Sequence, residues 1–214
     1  MYKTKEQIFE TLFSIYPTLE YAKESIFHAY ELLYRCAVND ATVMVCGNGG
    51  SASDSEHIVG ELMKGFNLMR PLSDSDKSLF ENVEGGKEIA DKLQYGIKAI
   101  SLVSQCGLIS AFANDIDASL VYAQQVFAYA KNSDDVLIAL TTSGNSKNVV
   151  NAAKTAKAKG IKIIGITGES GGKLAGYCDE CIKLPANTPF EVQEYTLPVY
   201  HALCAMLEAQ LFKQ

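Results

Sequence analysis

The 214 residues are enough for one ordinary domain with a full core, and 48% hydrophobic with 21% charged residues is the balance of a globular chain, not a disordered one. A formal net charge of -6 argues against a broad basic face for nucleic acid, so a bound anion has to be held by local geometry. No run approaches the roughly 18 apolar residues of a membrane span, and the opening Met1-Tyr2-Lys3-Thr4-Lys5-Glu6 lacks a signal-peptide core. A cytoplasmic protein without a membrane partner is expected.

Thr4 is placed to cap a first helix with Ile8, Leu12 and Phe13 on one face, ended by Pro17. A second helix is expected over 19–38, with Ile26, Ala29, Leu32, Leu33 and Cys36 at helical spacing. The apolar runs at 42–46, 99–103, 136–140, 162–166 and 181–184 read as strands. Helices are expected between them at 53–64, 108–114, 120–130, 148–159 and 173–176, with a long last helix over 190–212. Alternating strands and helices with continuously apolar strands predict an α/β fold: a three-layer, doubly wound parallel sheet of five strands. One domain over 1–214 is expected, with 1–40 as a helical extension. Residues 71–96 break the pattern and read as an insertion, a loop then a short helix, serving as a lid or as plain surface.

The cysteines, Cys36, Cys46, Cys106, Cys178, Cys181 and Cys204, lie among apolar segments and read as buried reduced thiols. Cys178 and Cys181 form one C-x-x-C, but a structural zinc site would need a second pair. A redox motif would open a helix, whereas Cys181 begins a strand.

Two turns carry the chemistry. Gly47-Asn48-Gly49-Gly50-Ser51 follows the first strand and opens a helix, where glycines admit a ligand to free N–H groups. A generic turn explains this segment alone almost as well. Thr141-Thr142-Ser143-Gly144-Asn145-Ser146 follows a later strand and adds four hydroxyls, with Ser146 as a helix cap. Together they form a neutral anion cradle suited to a phosphomonoester. His57 and Glu61 stand one turn apart behind the first loop, on one helix face. Gln193, Glu194 and His201 lie on the last helix, where His201 taken alone reads as a core histidine. His28, inside the apolar pattern of the second helix, reads as structural.

These residues match a known family. CGNGGS at Cys46 to Ser51 with His57 and Glu61, Asn114-Asp115, TSGNS at Thr142 to Ser146, Thr167-Gly168 with Gly171-Gly172-Lys173, and Gln193-Glu194 with His201 and Cys204 stand in family order. The chain resembles the sugar isomerase (SIS) superfamily and, within it, the bacterial phosphoheptose isomerases. The resemblance implies that Ser51, Thr141, Ser143 and Ser146 hold a sugar phosphate and that Asn48, Gly49, Gly50 and Thr142 also bind the substrate. It also implies that Asn114, Asp115 and Gln193 contact the sugar. Glu61 and His201 would act as base and acid through an enediol, and His57, Glu61, Gln193 and His201 match positions that bind Zn2+. A homotetramer with sites at subunit interfaces is implied too.

Gln193 and His201 are eight residues apart, roughly 12 Å along an unbroken helix. Their joint reach to one metal therefore needs converging side chains, a bend near Pro198, or two subunits. Three departures concern the substrate: Lys64-Gly65 where the family has Gly-Arg, Glu191-Val192 before Gln193, and the longer insertion. An isomerase for another sugar phosphate, or a non-catalytic phosphosugar-binding regulator of the same fold, stays open beside the phosphoheptose reading.

Overall fold

The structure is a computed structural model and describes residues 4–212; residues 1–3, which belong to the stretch weighed as a signal peptide, lie outside the described residues. Helix α1 (Lys5–Ile15) begins as the sequence suggests. Thr4 accepts from the backbone of Gln7, and the Gln7 side chain returns to Thr4, closing a capping box. The next segment differs: Pro17–Ala22 is a 3-10 turn, and α2 spans Lys23–Val38. Pro17 stands in the first turn of the 3-10 segment, where the missing N–H leaves no helical bond unmade.

Five strands follow: β1 (Val43–Cys46), β2 (Ala99–Ser101), β3 (Val136–Leu140), β4 (Lys162–Thr167) and β5 (Glu180–Lys183). They form one sheet in the order β2-β1-β3-β4-β5, with every pairing parallel. The alternation along each strand divides the interior into two cores. Val43, Val45, Val136, Ile138, Leu140, Ile164 and Ile166 face α1, α2, α3 (Gly50–Met63) and the last helix. Met44, Cys46, Leu137, Ala139 and Ile163 face the helices on the other side. This is the expected three-layer α/β architecture.

Residues 71–96 hold two short helices instead of one, α4 (Asp74–Ser78) and α5 (Gly86–Lys92). An antiparallel bridge between Pro71 and Gln94 closes the base of the insertion. After β2 come α6 (Cys106–Phe112), a π-helical turn (Ala113–Asp117), a 3-10 turn (Ala118–Leu120) and α7 (Val121–Tyr129). Helix α8 (Lys147–Lys159) links β3 to β4. The segment expected as a helix at 173–176 is a 3-10 turn, Leu174–Gly176, too short to pay the cost of nucleating an α-helix. Helix α9 (Pro189–Leu211) runs unbroken past Pro198 and is buried over most of its second half.

The cysteines divide. Cys36, Cys46 and Cys204 are buried, whereas Cys106 is exposed and Cys178 and Cys181 are half-buried, so the expectation of six buried thiols holds for three. His28 is exposed and pairs with Glu180 of β5 at 3.3 Å, joining α2 to the sheet edge.

Candidate functional site

The chain leaves β1 toward one side of the sheet and returns by β3 on the other, so the strand order reverses between them. Crevices at such reversals, beyond the carboxyl ends of the strands, are where open α/β sheets bind ligands. The two loops foreseen as the anion cradle border this crevice. Across it, Asn48 donates to Asn148 at 2.8 Å and Asn148 donates back at 2.9 Å.

In the first loop Gly49 has φ 57, a left-handed conformation that a side chain would strain. As the N-cap of α3, it offers no side-chain bond to the first turn. The α3 N-terminus, without a side-chain cap, and its dipole suit an anion. Helix α3 begins at Gly50, three residues before the sequence expectation, because Ala52 and Ser53 already donate to Gly49 O. Ser51 is buried at this end, and the side-chain amide of Gln193 lies over Gly50, where a Cβ would stand 2.5 Å from its Nε2. Tyr122 fastens the loop from α7 by donating to Gly47 O at 2.8 Å.

In the second loop the Thr141 and Ser146 hydroxyls share a hydrogen bond of 2.9 Å. Ser146 occupies the N-cap position of α8, yet its side chain makes no cap bond, which corrects the capping expectation. Ser143 and Asn145 are exposed and bonded to each other, and Thr142 is half-buried. Asn114 and Asp115 lie on the exposed π-helical turn and bond to each other at 2.8 Å. Among the described residues no hydrogen bond joins them to either loop.

Two turns along α3 from Gly50, His57, Glu61 and His201 bring one ligand atom each within 4.8 Å of one another. His57 Nε2 is 3.0 Å from Glu61 Oε1, and His201 Nε2 is 3.8 Å from the same oxygen. Glu61 Oε2 and His201 Nε2 are buried without a hydrogen-bond partner. Buried polar atoms are nearly always satisfied, so two orphans within one cluster point to a further group. Burial raises Glu61 above the usual carboxylate range against the opposing pull of His57. Burial, with His57 next to it, lowers His201 and favours the neutral ring. Tyr200 lies 2.9 Å from His57 Nδ1 and donates at 3.4 Å to Asp54, whose own carboxyl is raised by burial.

Gln193 stands apart from this trio within one chain, since Gly50, on which it rests, is seven residues before His57, roughly 10 Å along α3. Of the metal set expected from the sequence, the fold thus gathers three residues and leaves Gln193 beside the anion loop.

One pair escaped the sequence reading. Arg70 and Glu208 form an ion pair at 2.9 Å with side chains 0% and 1% exposed. Glu208 accepts from the N–H groups of Phe66, Asn67 and Leu68, while Arg70 donates to Leu62 O at 2.8 Å and Glu61 O at 3.4 Å. The pair holds the carboxyl end of α3, and with it Glu61, against α9. A lone carboxylate among the apolar residues of 202–212 was the available signal.

Beside His201, α1 and α9 border an apolar groove of about 530 Å³ lined by Ile8, Leu12, Ile15, Leu197 and Pro198 among others. No helix among the described residues is long and apolar enough to cross a membrane.

Comparison with known proteins agrees with this geometry. The SIS domain family model matches residues 10–103 and, in a second form, 122–210. A phosphoheptose isomerase of Shewanella denitrificans is 30% identical over 99% of this chain and 97% of its own length. The phosphoheptose isomerase structure from Francisella tularensis superposes with a TM-score of 0.70 at 26% identity, covering 92% of this chain and 96% of that one. The one from Neisseria gonorrhoeae gives 0.67 at 28%, covering 91% and 96%. The crevice, its two loops and full-length similarity to these proteins lead to one conclusion: the chain belongs to the SIS family, in its phosphoheptose isomerase branch.

Proposed function

We propose that the chain is an aldose–ketose isomerase acting on a sugar phosphate, with sedoheptulose 7-phosphate as its ketose. Similarity to phosphoheptose isomerases over 99% of the chain supports the substrate class. The observation that carries the chemistry is the cluster of His57, Glu61 and His201, in which Glu61 Oε2 and His201 Nε2 are buried without a hydrogen-bond partner.

In this reading the phosphate lies against the α3 N-terminus and the hydroxyls of Ser51, Thr141, Ser143 and Ser146, with Asn48, Gly49, Gly50 and Thr142 completing the cradle. Gln193, Asn114 and Asp115 contact the sugar. Glu61 takes the proton from the carbon next to the carbonyl and returns it to the neighbouring carbon of the enediol. His201 moves the proton between the two oxygens. A carboxylate raised by burial is a stronger base, and a neutral imidazole can both give and take a proton.

The donor set of His57, Glu61 and His201, with two ligand atoms unsatisfied, also fits a zinc ion. Bound there, zinc would supply Lewis-acid polarisation of the sugar carbonyl. The apolar groove beside His201 supports a site completed between copies, as in the expected homotetramer.

The test is turnover of sedoheptulose 7-phosphate by purified protein, with and without added zinc. Conversion to the aldose phosphate is expected. No conversion of this ketose or of a panel of sugar phosphates, under either condition, overturns the reading.

A further inference from the structure

The isomerisation leaves the Cys178-Asp179-Glu180-Cys181 segment without a task. In the fold the two thiols converge. Gly165 of β4 pairs with Cys181 of β5, and a Cβ on Gly165 would stand 2.6 Å from Cys178 Sγ and 3.4 Å from Cys181 Sγ. Both sulfurs thus crowd one point that only a glycine leaves open. Both residues are half-buried, at the edge strand of the sheet.

This pair sits behind the second anion loop. Cys178 Sγ donates to Leu174 O at 3.3 Å, and Leu174 N–H donates to Gly144 O at 2.9 Å. The neighbouring Lys173 N–H donates to Asn145 Oδ1 at 3.2 Å. Gly144 has φ 68 and packs on the Gly171 backbone. The turn over the thiols is therefore the same segment that supports the loop.

We propose that Cys178 and Cys181 form a modification site: a dithiol that a peroxide oxidises reversibly to a disulfide, loosening the 141–146 loop. Cys181 is the attacking thiol. The neighbouring Cys178 thiol, followed by the Thr167 hydroxyl and Lys183, lowers it to about 7, while the neighbouring Cys181 and burial raise Cys178. The Cys181 thiolate attacks one peroxide oxygen, the O–O bond breaks, and the departing hydroxide takes up a proton to leave as water. Cys181 is then a sulfenic acid. The Cys178 sulfur attacks it, the S–O bond breaks, the S–S bond forms, and a second water carries off the Cys178 proton. Two thiols lose two electrons and one peroxide becomes two waters. A disulfide has no S–H to give to Leu174 O, which then keeps only the Tyr177 N–H, so the turn loses one of its ties. Transient redox-sensing pairs are the form in which disulfides occur in reducing compartments.

The full chain is titrated with hydrogen peroxide, its remaining thiols are alkylated, and peptides are mapped by mass. The expected result is a Cys178–Cys181 link, lighter by two hydrogens, at doses that leave exposed Cys106 alkylatable, with both thiols restored by dithiothreitol. Amide exchange across 142–146 should rise roughly two- to tenfold, the worth of about one hydrogen bond, and fall back on reduction. Cys178→Ser and Cys181→Ser should abolish the rise. Recovery of both residues as thiols after Cys106 is oxidised, or a sulfinic acid on Cys181 with no link, overturns the site. A link with unchanged exchange overturns its effect on the loop. The wild-type mass map needs no variant to fold. Neither readout uses turnover, so failure of the isomerase reading is seen separately.

Discussion

Replacing Glu61 with Gln keeps the side chain's shape and removes its charge, which isolates the base role from packing. General-base contributions are typically about 10²- to 10⁴-fold. A kcat loss in that range is expected for Glu61→Gln, with KM for the sugar phosphate nearly unchanged if the phosphate is held at the α3 N-terminus, about three turns from Glu61. Full activity in steady-state assays would remove Glu61 from the role. Tyr200 offers a gentler test. Its hydroxyl sets the orientation of His57 through Nδ1 and reaches Asp54 on the far side. Outer-shell partners of metal-binding histidines are typically worth about 10- to 100-fold in affinity or activity. Tyr200→Phe keeps the buried ring, so zinc affinity should fall within that range while the melting temperature moves little. Equal zinc affinities in competition titrations would show that the hydroxyl is not orienting His57. In the second loop, an alanine at Gly144 would put its Cβ into Gly171 O from a left-handed backbone. Gly144→Ala should raise KM and cost about 1–3 kcal/mol of stability, read by kinetics and urea unfolding.

At the scale of elements, the site depends on how α3 ends. Glu208 satisfies three N–H groups of the turn after α3, and Arg70 satisfies two of its last carbonyls, with both charged side chains buried. Removing one partner of a buried ion pair strands the other and costs about 3–5 kcal/mol. Glu208→Ala and Arg70→Met should each destabilise by about that amount in urea unfolding, and the double variant by less than their sum. Strict additivity would mean the two charges act independently. This tie also marks the limit of the sequence. The strands were legible because continuous apolar runs between helical patterns have one common explanation, and His57 with Glu61 because helical periodicity puts positions i and i+4 on one face. Arg70 and Glu208 lie 138 positions apart, and no local pattern pairs them. Ser146 misled for a related reason: its hydroxyl has a rival partner, Thr141, visible only once β3 and α8 are placed. The convergence of His201 with Glu61 needed the family resemblance, since a histidine amid apolar residues, taken alone, reads as core.

For the whole molecule, the question is whether one chain makes a complete site. Gln193 lies over the first loop while His57, Glu61 and His201 gather farther along α3, so a single chain brings three of the four expected ligands together. The groove between α1 and α9 opens beside His201, and Ile15 and Leu197 on its rim are 63% and 40% exposed. Contiguous apolar surface left exposed is a mark of interaction faces. If copies of this chain pack there, assembly and activity are coupled. Ile15→Glu and Leu197→Glu change side chains that already reach solvent, so the isolated fold should tolerate them. A buried glutamate at a subunit interface should not be tolerated. Light scattering should then give four times the 23.3 kDa chain mass for the parent protein and a smaller species for the variants. Turnover should fall along with the assembly and recover as protein concentration is raised. A fully active variant of single-chain mass would show that each chain carries its own complete site.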